Sequence, residues 1–138
     1  MLTGIMKPLP GFLSENRDKD MVAWKKVYCI KNGEFCSSYE AVIAKLIIPK
    51  DAAVIFTNHK CRTSYAIVDG FYPSGLLFSP SINKRLPMNI AWSAWDSFFH
   101  YEAGKTATPD SFDPDPDAAC SHGIHFFRTY GEADRYVI

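Results

Sequence analysis

The chain has 138 residues, and its fifteen basic side chains balance fifteen acidic ones, leaving no formal net charge at neutral pH. That balance supplies no overall field for a polyanion or an anionic bilayer leaflet, which argues against general nucleic-acid binding. Hydrophobic residues make up 47% of the chain and aromatic residues 14%, too much apolar surface for a disordered segment and enough for one core at this length.

Residues 1–20 mix Pro, Gly and charge without period and read as an extended arm, with Leu2, Ile5, Leu9 and Phe12 tucked against a single domain over 21–138. Lys7, Pro8 and Pro10 interrupt any apolar leader, and no later run approaches the length that spans a bilayer. The expectation is a cytoplasmic protein, in the host cell, with no membrane partner. The run Val22 to Ile30 is apolar and aromatic and precedes Asn32-Gly33, a pair suited to a type I′ hairpin turn. A returning strand is expected from near Phe35, with a bend over 36–40 and a second apolar run from Ala41 to Ile48 that Pro49 ends.

After Pro49, Asp51 to Phe56 opens as a short helical turn, and Thr57 to Arg62 reads as a polar link with two cations around a thiol. Ser64 to Asp69 alternates as a half-buried strand does. Gly70, Pro73, Gly75, Pro80 and Pro87 punctuate the next stretch, leaving only a short strand near 76–78. Ser97 to Glu102 reads as a strand closing at Gly104, and the prolines at 109, 114 and 116 make 108–117 a loop. Gly123 to Phe127 is a further strand. Thr129 then caps a final helix through Ile138, with Glu132 completing a capping box and Ala133, Tyr136 and Val137 on its inner side. The predicted fold is α+β: one domain, a mixed and mostly antiparallel sheet of about six strands, and the C-terminal helix packed on it.

Cys29, Cys36, Cys61 and Cys120 are expected as four free thiols, since the core needs no staples. Cys120, His122 and His125, with His59 and Cys61, lack the Cys-x2-Cys or His-x3-5-His spacing of structural zinc sites, so no metal is expected. On a strand, His125 falls on the face opposite Ile124 and Phe126. Cys120 has no assured base or orienting partner for covalent catalysis. Asp110, Asp113, Asp115 and Asp117 lack the glycine and the distant glutamate of a calcium loop.

Three separated pieces carry a resemblance. They are Ala44-Lys-Leu-Ile-Ile-Pro-Lys-Asp-Ala52, Lys60-Cys-Arg62, and the stretch from Phe99-His-Tyr-Glu-Ala-Gly-Lys105 through Pro109-Asp-Ser-Phe-Asp113 to Cys120-x-x-Gly-Ile-His-Phe-Phe127. Together they resemble an uncharacterised domain of large DNA virus and phage proteins, sometimes found beside pentapeptide repeats. That resemblance implies a viral or phage accessory context and brings no established activity. Gly123-Ile-His-Phe126, followed by Glu132, Ala133 and Tyr136, is similar to the nicotinamide-binding strand and helix of the ADP-ribosyltransferase-like fold. The similarity implies that His125 stacks on nicotinamide, with Tyr101 and Glu102 as candidates for the ribose contact and the orienting carboxylate.

No complete catalytic set and no glycine-rich phosphate loop is present. The expected function is therefore that of a small non-enzymatic accessory binding protein without a cofactor, which occupies a host factor, including a defence factor, or sequesters a nucleotide-like ligand. Lys60, Arg62, His100, Lys105 and His125 are the candidate ligand-binding residues, since cations near a strand edge beside stacking rings suit a phosphate-bearing ligand. The alternative is an NAD-dependent ADP-ribosyltransferase-like enzyme using His125, Tyr101 and Glu102.

Overall fold

The computed structural model describes residues 11–29, 40–75, 85–93, 99–118 and 121–136. Its strands are β1 (Phe12–Ser14), β2 (Met21–Cys29), β3 (Glu40–Ile48), β4 (Val54–Phe56), β5 (Cys61–Thr63), β6 (Ala66–Pro73), β7 (Ile90–Trp92), β8 (His100–Glu102), β9 (Thr106–Ala107) and β10 (Ile124–Phe126). One short helix, α1 (Tyr130–Arg135), follows the last strand. The described residues form a single α+β domain with two antiparallel sheets. One has four strands in the order β1-β4-β5-β10, and the other has six in the order β8-β7-β2-β3-β6-β9.

The two apolar runs read as strands become the centre of the six-stranded sheet. β2 pairs with β3 over nine residues, from Met21 opposite Ile48 to Cys29 opposite Glu40. The turn expected at Asn32-Gly33 lies outside the described residues. β3 is apolar almost throughout because both its faces are covered, as expected of a central strand. Val42, Ala44, Leu46 and Ile48 join the main core, while Ile43 packs on the other side with Tyr130 and Ala133 of α1. The helix thus lies on this sheet.

Alternation along β2 sends its side chains to two different surroundings. Ala23, Val27 and Cys29 point into the core. Lys25 stands in the same row. Trp24 and Lys26 face α1, where Trp24 meets the rings of Tyr72 and Tyr130 edge-on. Lys26 Nζ donates to the carbonyls of Asp134 at 2.6 Å and Tyr136 at 2.9 Å, a cation placed on the orphan carbonyls of a helix C-terminus. At the other end Thr129 Oγ1 accepts from the Glu132 amide at 3.2 Å and donates to the Glu132 carboxylate at 2.8 Å. The helix stops at Arg135 instead of running to Ile138, because Tyr136 is extended at the C-cap and Lys26 holds the last carbonyls.

Several expectations are corrected. The single sheet is two. The polar link over 57–62 ends in a strand, β5, whose Cys61, Arg62 and Thr63 are all buried; three residues are too few for periodicity to register. β6 runs through Gly70 to Pro73, where the glycine leaves room for Arg85, whose Nε would lie 2.7 Å from an added Cβ. Phe12, expected as a loose contact of the arm, belongs to β1 and pairs with Phe56. Cys61 is a buried free thiol, but Cys29 is disulfide-bonded, its partner lying outside the described residues. Bridging depends on how near the fold brings two Cα atoms, which spacing along the chain does not disclose. Cys36, Cys120, Trp95, Phe98 and the strand expected near 76–78 also lie outside the described residues.

A cleft where the two sheets part

The free edge of β2 is shared by two neighbours. Near its start, Trp24 and Phe127 exchange backbone hydrogen bonds of 2.9 and 2.8 Å, which ties the end of β10 to β2. Near its end, Tyr28 pairs with Trp92 of β7. Between these two ties the sheets diverge, and Lys25 lies at the fork. The cleft there has a volume of about 730 Å³, within the usual range for small-molecule sites. Lys25, Lys60, Phe99, Tyr101, His122 to His125 and Tyr136 are among the residues that line it. Pro109, Asp110 and Ser111 supply the rim.

Lys25 Nζ donates to the carbonyl of His125 at 2.9 Å. No carboxylate pairs with it among the described residues. Part of the side chain keeps contact with solvent while the ammonium end is enclosed. Burial, and then the charge of Lys60, lower its pKa to about 8. Lys60 Nζ donates to Tyr136 Oη at 3.3 Å and lies 5.2 Å from the centre of that ring. Tyr101 is 2% exposed, and burial holds its hydroxyl protonated well above the ordinary tyrosine range.

His125 is lowered to a pKa of about 4, first by burial and then by Lys25, Lys60 and Arg62. A backbone hydrogen bond with Ser121 opposes the shift, and Nε2 is buried without a partner among the described residues. Keeping this ring neutral makes the stability of the fold depend on pH. Its folded pKa lies below the ordinary value of 6.5, so the unfolded chain binds the extra proton, and stability falls as pH drops from 6.5 towards 4. Replacing His125 by Gln is expected to flatten the acid side of a urea-midpoint profile across that window. An unchanged slope would refute the assignment.

The rim is built from within. Arg62, on β5 opposite His125, is 3% exposed and makes four hydrogen bonds to three carbonyls of the proline loop. Its Nε and Nη2 reach Asp113 O at 3.1 and 2.8 Å, Nη2 reaches Asp115 O at 2.6 Å, and Nη1 reaches Ala118 O at 2.6 Å. Gly123 has a φ of +139°, and a Cβ there would meet Phe112 at 3.1 Å and Arg62 at 3.3 Å, so the loop and the arginine pack against its bare backbone.

The five residues expected to bind ligand therefore separate. Lys60 and His125 line the cleft. Arg62 does not; its guanidinium is committed to the loop. His100 faces away from Tyr101 on β8 and packs on Trp92, ring centres 5.1 Å apart. Lys105 is exposed in the turn after β8 and pairs with Glu102 at 3.6 Å. Of the alternative set, Tyr101 and His125 share the cleft, and alternation sends Glu102 to the opposite face. Lys25 escaped the reading of the sequence, although two adjacent lysines inside an apolar strand must put one of them on the core side. Phe99 and Tyr136 left no comparable sign. Among the described residues no group of three or more His, Cys, Asp or Glu is placed to hold a metal ion. No helix there is long and apolar enough to cross a membrane.

No curated protein and no solved structure matches the chain. A family match extends over residues 12–133, from β1 to the buried Ala133 of α1, and so takes in both sheets and the residues lining the cleft other than Tyr136. The chain belongs to that family, described as a family of unknown function (DUF5758).

Proposed function

We propose that the protein is a small binding protein of viral or phage type whose cleft takes a nucleotide-like ligand, a planar ring carrying phosphate. The observation that supports this reading is the meeting of Lys25 and Lys60 with the rings of Phe99, Tyr101 and Tyr136 around one cavity. An ammonium in a partly desolvated site gains most from an anion brought to it, and aromatic walls suit a flat ring. Binding alone is enough for such a protein to act as a sink for a host nucleotide signal. In the second version of the reading it occupies a host protein.

Thermal unfolding against AMP, ADP, ADP-ribose and NAD, with adenosine as the uncharged control, tests the ligand. A phosphate-bearing ligand at ~100 times its dissociation constant adds about 2.7 kcal/mol of stability. The shift should exceed that of adenosine and shrink in the Lys60→Ala variant. A flat panel would remove the nucleotide reading and leave only a protein partner.

One observation favours a second reading, an NAD-dependent ADP-ribosyltransferase-like enzyme: Tyr101 and His125 line the same cleft. Against it, Glu102 pairs with Lys105 on the other face of β8. Labelled NAD incubated with the protein and a host lysate separates the two. Transfer or hydrolysis that His125→Ala abolishes would establish the enzyme.

A further inference from the structure

The row of side chains that β2 sends into the core contains one amine. Ala23, Val27 and Cys29 are enclosed by apolar neighbours, and Lys25 shares their face where the sheets part. Its nitrogen has one hydrogen bond, to a backbone carbonyl, and no carboxylate partner among the described residues. Lys60 places a second positive charge beside it. Among the described residues, the other charged or titratable groups lining the cleft are Asp110 on the rim, His122, the neutral His125, and the hydroxyls of Tyr101 and Tyr136. An enclosed lysine next to another cation is the arrangement that turns an amine into a nucleophile at neutral pH.

We propose that Lys25 captures carbonyl ligands covalently, forming an imine with an aldehyde carried by a phosphate-bearing compound. This inference rests on the cleft taking phosphate ligands and specifies which of them it would hold. The unprotonated amine attacks the carbonyl carbon, forming the C–N bond, and the carbonyl oxygen takes up a proton. The nitrogen gives up both of its protons, one to that oxygen and one to the departing hydroxyl, the C–O bond breaks to release water, and the C=N bond closes. One amine and one aldehyde give one imine and one water, with no oxidant or reductant. The lowered pKa of Lys25, about 8, leaves a substantial neutral fraction at physiological pH, where an exposed lysine has almost none.

Two aldehydes distinguish the source of the carbonyl: pyridoxal 5′-phosphate, an aromatic aldehyde, and ribose 5-phosphate, an open-chain sugar end. Each is incubated with the full chain at pH 7.5, trapped with borohydride and located by peptide mass mapping. Lys25 should be labelled more than about tenfold faster than the exposed Lys50 and Lys105. Excess ADP should protect it. The wild-type labelling rate should level off above about pH 8, instead of climbing past pH 10 as an ordinary lysine does. Lys25→Arg should lose the adduct at this position while the exposed Lys50 and Lys105 label as in the parent. Equal labelling of Lys25 and the exposed lysines, or a rate that keeps rising to pH 10, would overturn the inference even if ADP binds. Selective labelling of Lys25 that ADP neither protects nor accompanies with a thermal shift would instead overturn the phosphate reading and leave the reactive amine standing.

Discussion

Arg62→Met is expected to destabilise the protein by about 4 kcal/mol and to lower its thermal midpoint by roughly 14 °C. The guanidinium of Arg62 is the only side-chain donor at the carbonyls of Asp113 and Asp115 among the described residues, and it also holds Ala118 O. Removing it leaves three partly buried acceptors without that donor, and each such loss costs about 1–3 kcal/mol. Part of this is recovered as the loop opens to water, which is why the sum falls short of its upper limit. Opening the loop also removes the rim at Pro109 to Ser111, so ligand affinity should fall together with stability. Arg62→Lys is expected to rescue little, because one ammonium does not span three carbonyls that a planar fork holds at once. Urea unfolding of the two variants checks this; a lysine variant within about 1 kcal/mol of the parent would refute the clamp.

The second large effect concerns ligand affinity and its dependence on pH. Lys25→Met should weaken binding of ADP by about 10- to 100-fold at pH 7.5, the range expected when a charged hydrogen-bond donor is lost. A bound phosphate favours the ammonium form, so the complex holds more protons than the free protein as pH nears and passes about 8. Affinity should therefore fall about twofold between pH 7 and 8 and by up to about tenfold per pH unit beyond 8. Titration calorimetry across pH 7 to 10 reads both effects. The decline should vanish in Lys25→Met; a variant that keeps the same decline would assign it to another group.

Residues whose pattern reflects burial were legible without coordinates. The apolar run over 41–48 was readable as a segment that Pro49 ends, and it is a central strand of the larger sheet. The three prolines of 109–116 excluded regular structure, and that stretch carries no helix or strand. Thr129 and Glu132 marked the helix start to the residue. His125 was placed opposite Ile124 and Phe126 by alternation alone, and the latter two are buried while His125 is half-buried.

Other features depended on contacts far apart in the chain. β5 spans three residues, and only its pairing with β4 and β10 makes it a strand. Arg62 carried the residue type of a phosphate ligand, but the carbonyls that occupy it arrive from about fifty positions away. Glu102 and Tyr101 are neighbours in sequence and face opposite sides of a strand, so proximity along the chain misled. Composition and periodicity thus determined that this protein is one α+β domain, where its central hairpin runs, and how its helix begins, because burial and capping act over a few residues. The tertiary structure alone decided that two sheets part at Lys25 and bring Lys60, Tyr101, His125 and Tyr136 around it, because the splitting of one strand edge between β7 and β10 is a long-range event that no local pattern encodes.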